Sequence, residues 1–166
     1  MIIVSQASGR ALRLRTSANT QLLNNGGFTI TIGSTAAVGQ GAGLQLVHTA
    51  NDEVTHTANF AFGAQEGLVY LATTGGTSGI IRLNGNITGS NGITFFGDGR
   101  VRLGGLNSFT GPLTINSGDV RLTSATGAGL LTGAANEIQM WGGILSLTGS
   151  TRHNNNVTFF NDARIG

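Results

Sequence analysis

The sequence contains no cysteine and no lysine, and it has a single proline. Without cysteine there are no disulfides and no thiolate metal sites. Without proline, turns have to be made by glycine and asparagine, and the 28 glycines are enough to make many of them. Charge is also scarce: nine arginines oppose seven carboxylates, for a formal net charge of +2. The sequence pI of about 10.5 therefore reflects arginines that do not deprotonate rather than a strongly basic surface. So small an excess gives no electrostatic basis for nucleic-acid binding. No stretch approaches the roughly 18 apolar residues of a membrane helix. The start, Met1-Ile2-Ile3-Val4-Ser5, lacks the basic segment and the long apolar run of a signal peptide. Any export signal is therefore expected outside this chain.

What the chain does contain is a set of short alternating runs. Leu12-Arg13-Leu14, Ile81-Arg82-Leu83, Val101-Arg102-Leu103 and Val120-Arg121-Leu122 each place two apolar residues on one face of a strand and an arginine on the other. The last three arginines follow one another at 20 and 19 residues, the kind of interval expected when one strand is laid over the previous one.

The second half reads as one strand-turn-strand unit written four times. Its first strands are Ile93-Thr94-Phe95, Leu113-Thr114-Ile115, Ile138-Gln139-Met140 and Val157-Thr158-Phe159. Their partners are Val101 to Leu103, Val120 to Leu122, Leu145 to Leu147, and Arg164-Ile165. The apolar period is two, which excludes a helix. Phe28 to Ile32, Leu44 to Leu46, Phe60 to Phe62 and Val69 to Leu71 alternate as well, at irregular spacing, so loops are expected to leave the stack at Val47 to Asn59 and at Ala72 to Gly79. These patterns predict an all-β, right-handed parallel β-helix (a β-solenoid) of about seven coils, one domain over residues 1–166.

The stretch 86–122 resembles the passenger-associated transport repeat of bacterial autotransporters, also called the autotransporter-associated β-strand repeat. The matching residues are Ile87-Thr88-Gly89-Ser90, Gly97-Asp98-Gly99-Arg100-Val101-Arg102-Leu103, Asn107-Ser108-Phe109-Thr110-Gly111-Pro112 and Leu113-Thr114-Ile115-Asn116-Ser117-Gly118-Asp119-Val120-Arg121-Leu122. Phe96 departs from the family pattern, which favours a polar residue before that glycine. The resemblance implies a right-handed parallel β-helix displayed outside the cell or on the bacterial surface. It implies no particular activity, because the repeat is scaffold.

Four groups of residues are candidates for function. Arg82, Arg102 and Arg121 form an outward ladder that would bind anionic surface glycans, unless Asp98 and Asp119 in the adjoining turns neutralise it. His48, Asp52 and His56 carry metal-ligand chemistry at a spacing suited to one helical face, but the flanking residues favour a strand or a surface loop. No metal and no cofactor is expected. The carboxylates Asp98 and Asp119 recur in neighbouring turns, as a polysaccharide-active β-helix enzyme would need, yet each lies beside an arginine. The dipeptides Phe95-Phe96 and Phe159-Phe160 place one ring inside and one outside, making Phe96 and Phe160 either a binding face or the cover beneath a loop.

The ends are the last feature. Ile2, Ile3 and Val4 at one end and Ile165 at the other are strand-prone, and a parallel stack exposes unpaired strand edges at both ends. These edges are expected either to continue into flanking passenger coils or to stack on a second copy head to tail. The reading from sequence is a non-catalytic extracellular scaffold or adhesin-type stalk. A self-assembling fibre subunit is the alternative, and a polysaccharide-active enzyme is third.

Overall fold

A computed structural model describes residues 2–3, 11–17, 29–32, 41–74, 78–123, 133–148 and 153–166. The protein is all-β, with no helix among these residues, and every strand pairing is parallel. Parallel neighbours cannot be joined by a tight hairpin, so each strand finds its partner one long connection later.

The strands fall into three sheets. A seven-stranded sheet contains β2 (Leu12–Thr16), β4 (Ala42–His48), β7 (Gly67–Thr73), β10 (Ile93–Gly97), β12 (Leu113–Ile115), β14 (Gly133–Met140) and β16 (Asn155–Phe159). A six-stranded sheet contains β5 (Glu53–His56), β8 (Ile80–Leu83), β11 (Arg100–Leu103), β13 (Asp119–Leu122), β15 (Ile144–Leu147) and β17 (Arg164–Ile165). A four-stranded sheet contains β1 (Ile2–Ile3), β3 (Thr29–Thr31), β6 (Asn59–Ala61) and β9 (Ile87–Thr88). From β4 to β9 the chain passes twice through the three sheets in the same order, seven-stranded, six-stranded, four-stranded.

Alternation then decides what lies inside. In the seven-stranded sheet the register aligns Leu44, Val69, Phe95, Ile115 and Met140, all buried. In the six-stranded sheet it aligns Val54, Ile81, Val101, Val120 and Leu145, also buried. Each such column is a run of like apolar side chains packed at the inter-strand distance of ~4.8 Å.

The turn residues of the repeat have physical roles. After β11 the backbone continues the four-stranded side without a regular strand: Ser108 N–H donates to Ile87 O at 2.9 Å and Thr110 N–H to Gly89 O at 2.9 Å. Asn107, fully buried, uses its Oδ1 to accept from Ile87 N–H at 3.0 Å, and Phe109 fills the core beside it. Gly111 closes the segment at φ 89°, where a Cβ would come within 2.5 Å of Gly92 N. An "asparagine, small, aromatic, threonine, glycine" run is therefore a buried amide clip, a core plug and a left-handed turn in that order.

Several expectations are corrected. Val47 to Asn59 does not leave the stack: β4 runs through His48, and β5 follows at Glu53–His56. The strand was hidden because Val54 is its single aliphatic inward residue and a histidine, His56, takes the next inward position. Leu12-Arg13-Leu14 belongs to the seven-stranded sheet, so Arg13 opposes Gln45 and does not join the other three arginines. Of the expected loop at Ala72 to Gly79, residues 75–77 lie outside the described residues, as do Val4 and Phe28. Ile2 and Ile3 form the outermost strand of the four-stranded sheet, pairing with Ile30 and Thr31. Ile165 lies in the outermost strand of the six-stranded sheet and is 58% exposed.

Candidate functional site

The arginine ladder is real as geometry. Arg82, Arg102 and Arg121 sit opposite one another on β8, β11 and β13, all on the outward side. Like charges this close repel, and two carboxylates hold them. Glu53 bridges the first pair, with Oε1 at 2.7 Å from Arg82 and Oε2 at 2.6 Å from Arg102. Asp119 takes the third: Arg121 Nη2 and Nε donate to its Oδ2 at 2.8 and 3.0 Å, and Arg100 approaches the same oxygen at 3.8 Å. Ser146 Oγ donates to the other oxygen of Asp119 at 3.2 Å. Neutralisation was expected from Asp98 and Asp119. Asp119 supplies its share, whereas Asp98 is exposed in its turn and the second carboxylate is Glu53, reaching from β5.

Glu53 is therefore a keystone with a testable cost. Glu53→Gln leaves two guanidiniums in adjacent strands without their shared counter-charge. We expect a loss of about 1–2 kcal/mol in denaturant titrations at low ionic strength, shrinking as salt is added. An unchanged midpoint at low salt would show that solvent alone neutralises the pair.

The two histidines are buried at the ends of β4 and β5, whereas the turn between these strands, with Thr49 and Asn51 exposed, is the surface loop that was expected. His48 is fully buried at the end of β4, with Nδ1 3.0 Å from Thr16 Oγ1 and Nε2 2.8 Å from Asp52 Oδ1. His56 lies inward on β5, where its column continues as Leu83, Leu103 and Leu122. Burial, reinforced by the nearby charge of His48, pushes the His56 imidazole down to about 4. Among the described residues no group of three His, Cys, Asp or Glu is placed to hold a metal ion. His48, Asp52 and His56 thus act as a polar buttress at a corner of the core.

Two features of the outer surface were only partly legible. The first is a column of rings. Tyr70 opposes Phe96 across β7 and β10, with centroids 5.5 Å apart and planes tilted by 57°. One residue past the aligned Ile115, Met140 and Phe159, the same column continues as Asn116, Trp141 and Phe160. Trp141 and Phe160 stack at 4.2 Å with planes 7° apart, and both are more than two-fifths exposed. Phe96 and Phe160 were singled out from sequence. Tyr70 and Trp141 were not, and only writing the strands in register reveals them.

The second feature is a trough of about 420 Å³ over the turns that lead from the seven-stranded to the six-stranded sheet. Its floor is glycine backbone. Gly118 has φ 86°, and a Cβ there would stand 2.9 Å from Gly99 O; a Cβ on Gly143 would stand 2.5 Å from Gly118 O. Asp98, Asp119 and Asp162 line it together with Arg100 and Arg164. The floor's backbone is satisfied internally, since Asp119 N–H donates to Gly99 O, Ile144 N–H to Gly118 O and Arg164 N–H to Gly143 O, at 2.8 to 3.0 Å. Asp162 joins Asp98 and Asp119 here, although only Asp98 and Asp119 were expected to stack.

On the outer face of β14 and β16, Gln139 Nε2 donates to Glu137 at 3.0 Å and Thr158 Oγ1 donates to the other Glu137 oxygen. These bonds hold the Glu137 carboxyl below its usual range, Thr158 contributing most. No helix among the described residues is long and apolar enough to cross a membrane. No family model, curated protein or solved structure matches the chain.

Proposed function

We propose that the chain is a non-catalytic extracellular scaffold, an adhesin-type stalk segment built as a closed right-handed parallel β-helix of about seven coils. The observation that carries this reading is the unbroken register of β5, β8, β11, β13, β15 and β17, in which the inward column runs from Val54 to Ile165 and the outward one includes the neutralised arginines. A stack of this kind is a stiff rod whose exterior can change without disturbing its core. The resemblance of residues 86–122 to the passenger repeat of autotransporters supports display at the bacterial surface and folding outside the cell.

A second reading, a fibre subunit, rests on a specific surface. Leu147, Val157, Phe159 and Ile165 occupy inward register positions yet are 37 to 58% exposed, because no strand covers β16 and β17 and β17 pairs with β15 only at Ile144 and Leu145. A following coil would bury them, whether it comes from a longer chain or from a second copy. Negative-stain images and sedimentation across a concentration series separate the two. The stalk reading expects rods of constant length, about 30 Å for seven strands at ~4.8 Å. Rods that lengthen with concentration would establish the fibre and overturn the stalk. The third reading, an enzyme, would show as release of sugar ends from a polysaccharide panel with or without calcium, and we expect none.

A further inference from the structure

We propose that a pocket on the outer face of the seven-stranded sheet binds a small aromatic molecule, about two fused rings in size, that carries one anionic group. The proposal goes beyond the scaffold reading and does not depend on it.

The pocket originates in one glycine of an outward column. Gly43 on β4 stands beside Leu68 on β7, and on its other side a Cβ would come within 2.9 Å of the Cβ of Ala11. The neighbouring outward column carries Arg13, Gln45, Tyr70 and Phe96 in register. Where another residue would raise a side chain, Gly43 therefore leaves a hollow of about 260 Å³, walled by Ala11, Gln45, Leu68, Tyr70 and Phe96. The polar side-chain groups among these are the Gln45 amide and the Tyr70 hydroxyl.

Size and lining select the ligand. An apolar cavity of roughly 150 Å³ takes up benzene, so this hollow has room for a second fused ring. Tyr70 and Phe96, tilted by 57° with centroids 5.5 Å apart, offer ring surface for a flat molecule to pack on. A sugar would find one amide and one phenol for its many hydroxyls and leave the rest unpaired. A peptide strand would need a free strand edge, whereas β4 and β7 beneath the pocket are paired on both sides.

Charge sets the orientation. Arg13 is outside the lining but occupies the next outward position after Ala11 on the same strand, opposite Gln45. It is exposed, as is Arg15, and no ion pair joins either to a described carboxylate. Glu66, by contrast, is held at the opposite side, where it accepts from Thr94 Oγ1 at 2.5 Å on β10, the strand beyond Leu68. A ring seated over Gly43 thus places an anionic group toward Arg13 and away from Glu66.

The test titrates the full chain with naphthoate and with its uncharged counterpart naphthalenemethanol, following naphthalene fluorescence and heat of binding. We expect saturable binding of both, with naphthoate about three- to tenfold tighter. Ala11→Phe, at an exposed position beside the hollow, should fill it and weaken both probes at least about tenfold while the melting curve stays in place. Arg13→Ala should bring naphthoate down to the affinity of the alcohol and leave the alcohol unchanged. Trp141→Ala, far along the ring column, should alter neither. Absence of saturable binding, or binding indifferent to Ala11→Phe, overturns the proposal and leaves the scaffold reading standing. Equal affinity for the two probes in the unaltered chain overturns the anionic assignment. Binding lost with Trp141→Ala overturns the proposal in favour of the stacked Trp141–Phe160 pair. Straight-chain carboxylates that bind more tightly than naphthoate, increasingly so with length, overturn it in favour of an acyl chain.

Discussion

Replacing Phe95 with alanine is expected to cost about 3–5 kcal/mol, a large share of what holds a domain of this size together. Phe95 is completely buried, and its neighbours above and below, Val69 and Ile115, are fixed by the backbone ladders of β7 and β12. Those ladders leave the layer no way to collapse into the space left by the ring, so the loss combines transfer free energy with an unfilled cavity. The column makes its own control. Phe159 occupies the same register position on β16, three strands away, but has no strand covering it and is 47% exposed. Phe159→Ala should cost under about 1 kcal/mol. Urea titrations of both variants check the contrast. Equal costs would mean that residue type rather than coverage governs stability along the stack.

The same coverage argument explains which parts of the fold were readable. Strand pairs in the second half were legible because glycine turns punctuate runs such as Leu113-Thr114-Ile115 and Val120-Arg121-Leu122, and period-two alternation there is clean. The four-stranded sheet was only partly readable: the alternating runs Phe28 to Ile32 and Phe60 to Phe62 overlap β3 and β6, whereas β9 has only two residues, too few for a period to appear. Its continuation at 107–110 is held by the Asn107 amide and two backbone bonds and shows no periodicity at all. β5 was missed for another reason. Glu53-Val54-Thr55-His56 alternates correctly, but a histidine at an inward position looks polar until its burial is known.

The surface was less legible than the core for a related reason. A buried column requires apolar residues at every step, so its signal repeats. An outer column tolerates substitution, and the ring series is interrupted by Asn116 between Phe96 and Trp141. Members of that series stand 19 to 26 residues apart, and the interval varies with each connection. Charge was misassigned on the same grounds. Asp98 lies near the arginines in sequence, yet Glu53 reaches Arg82 and Arg102 because β5 stacks directly beneath β8. Contacts set by stacking ignore sequence distance, and a single sequence records them only where the repeat is regular.

Acid should destabilise the protein well before its carboxylates titrate, and His56 is the reason. The imidazole is held at about 4 against an ordinary 6.5, mainly because it is buried and secondarily because His48 stands near it. Between these values the unfolded chain binds a proton that the folded chain refuses. Stability is therefore complete above about pH 6.5 and falls with pH by about 1.4 kcal/mol per unit until about pH 4, where the slope ends. The full window corresponds to about 3 kcal/mol, an upper figure for any water reaching the ring. His153, also pushed down by burial, adds to the same slope with the same sign. Glu137 acts below this window, because its carboxyl is held below the usual range and gives up its share only as pH falls further. Denaturant titrations from pH 7.5 to 4 are expected to show the slope, and His56→Leu should flatten most of it. Leucine suits the position, since Leu83, Leu103 and Leu122 continue the same inward column. A wild-type profile that stays level across this range would place water beside His56 and contradict its burial near His48.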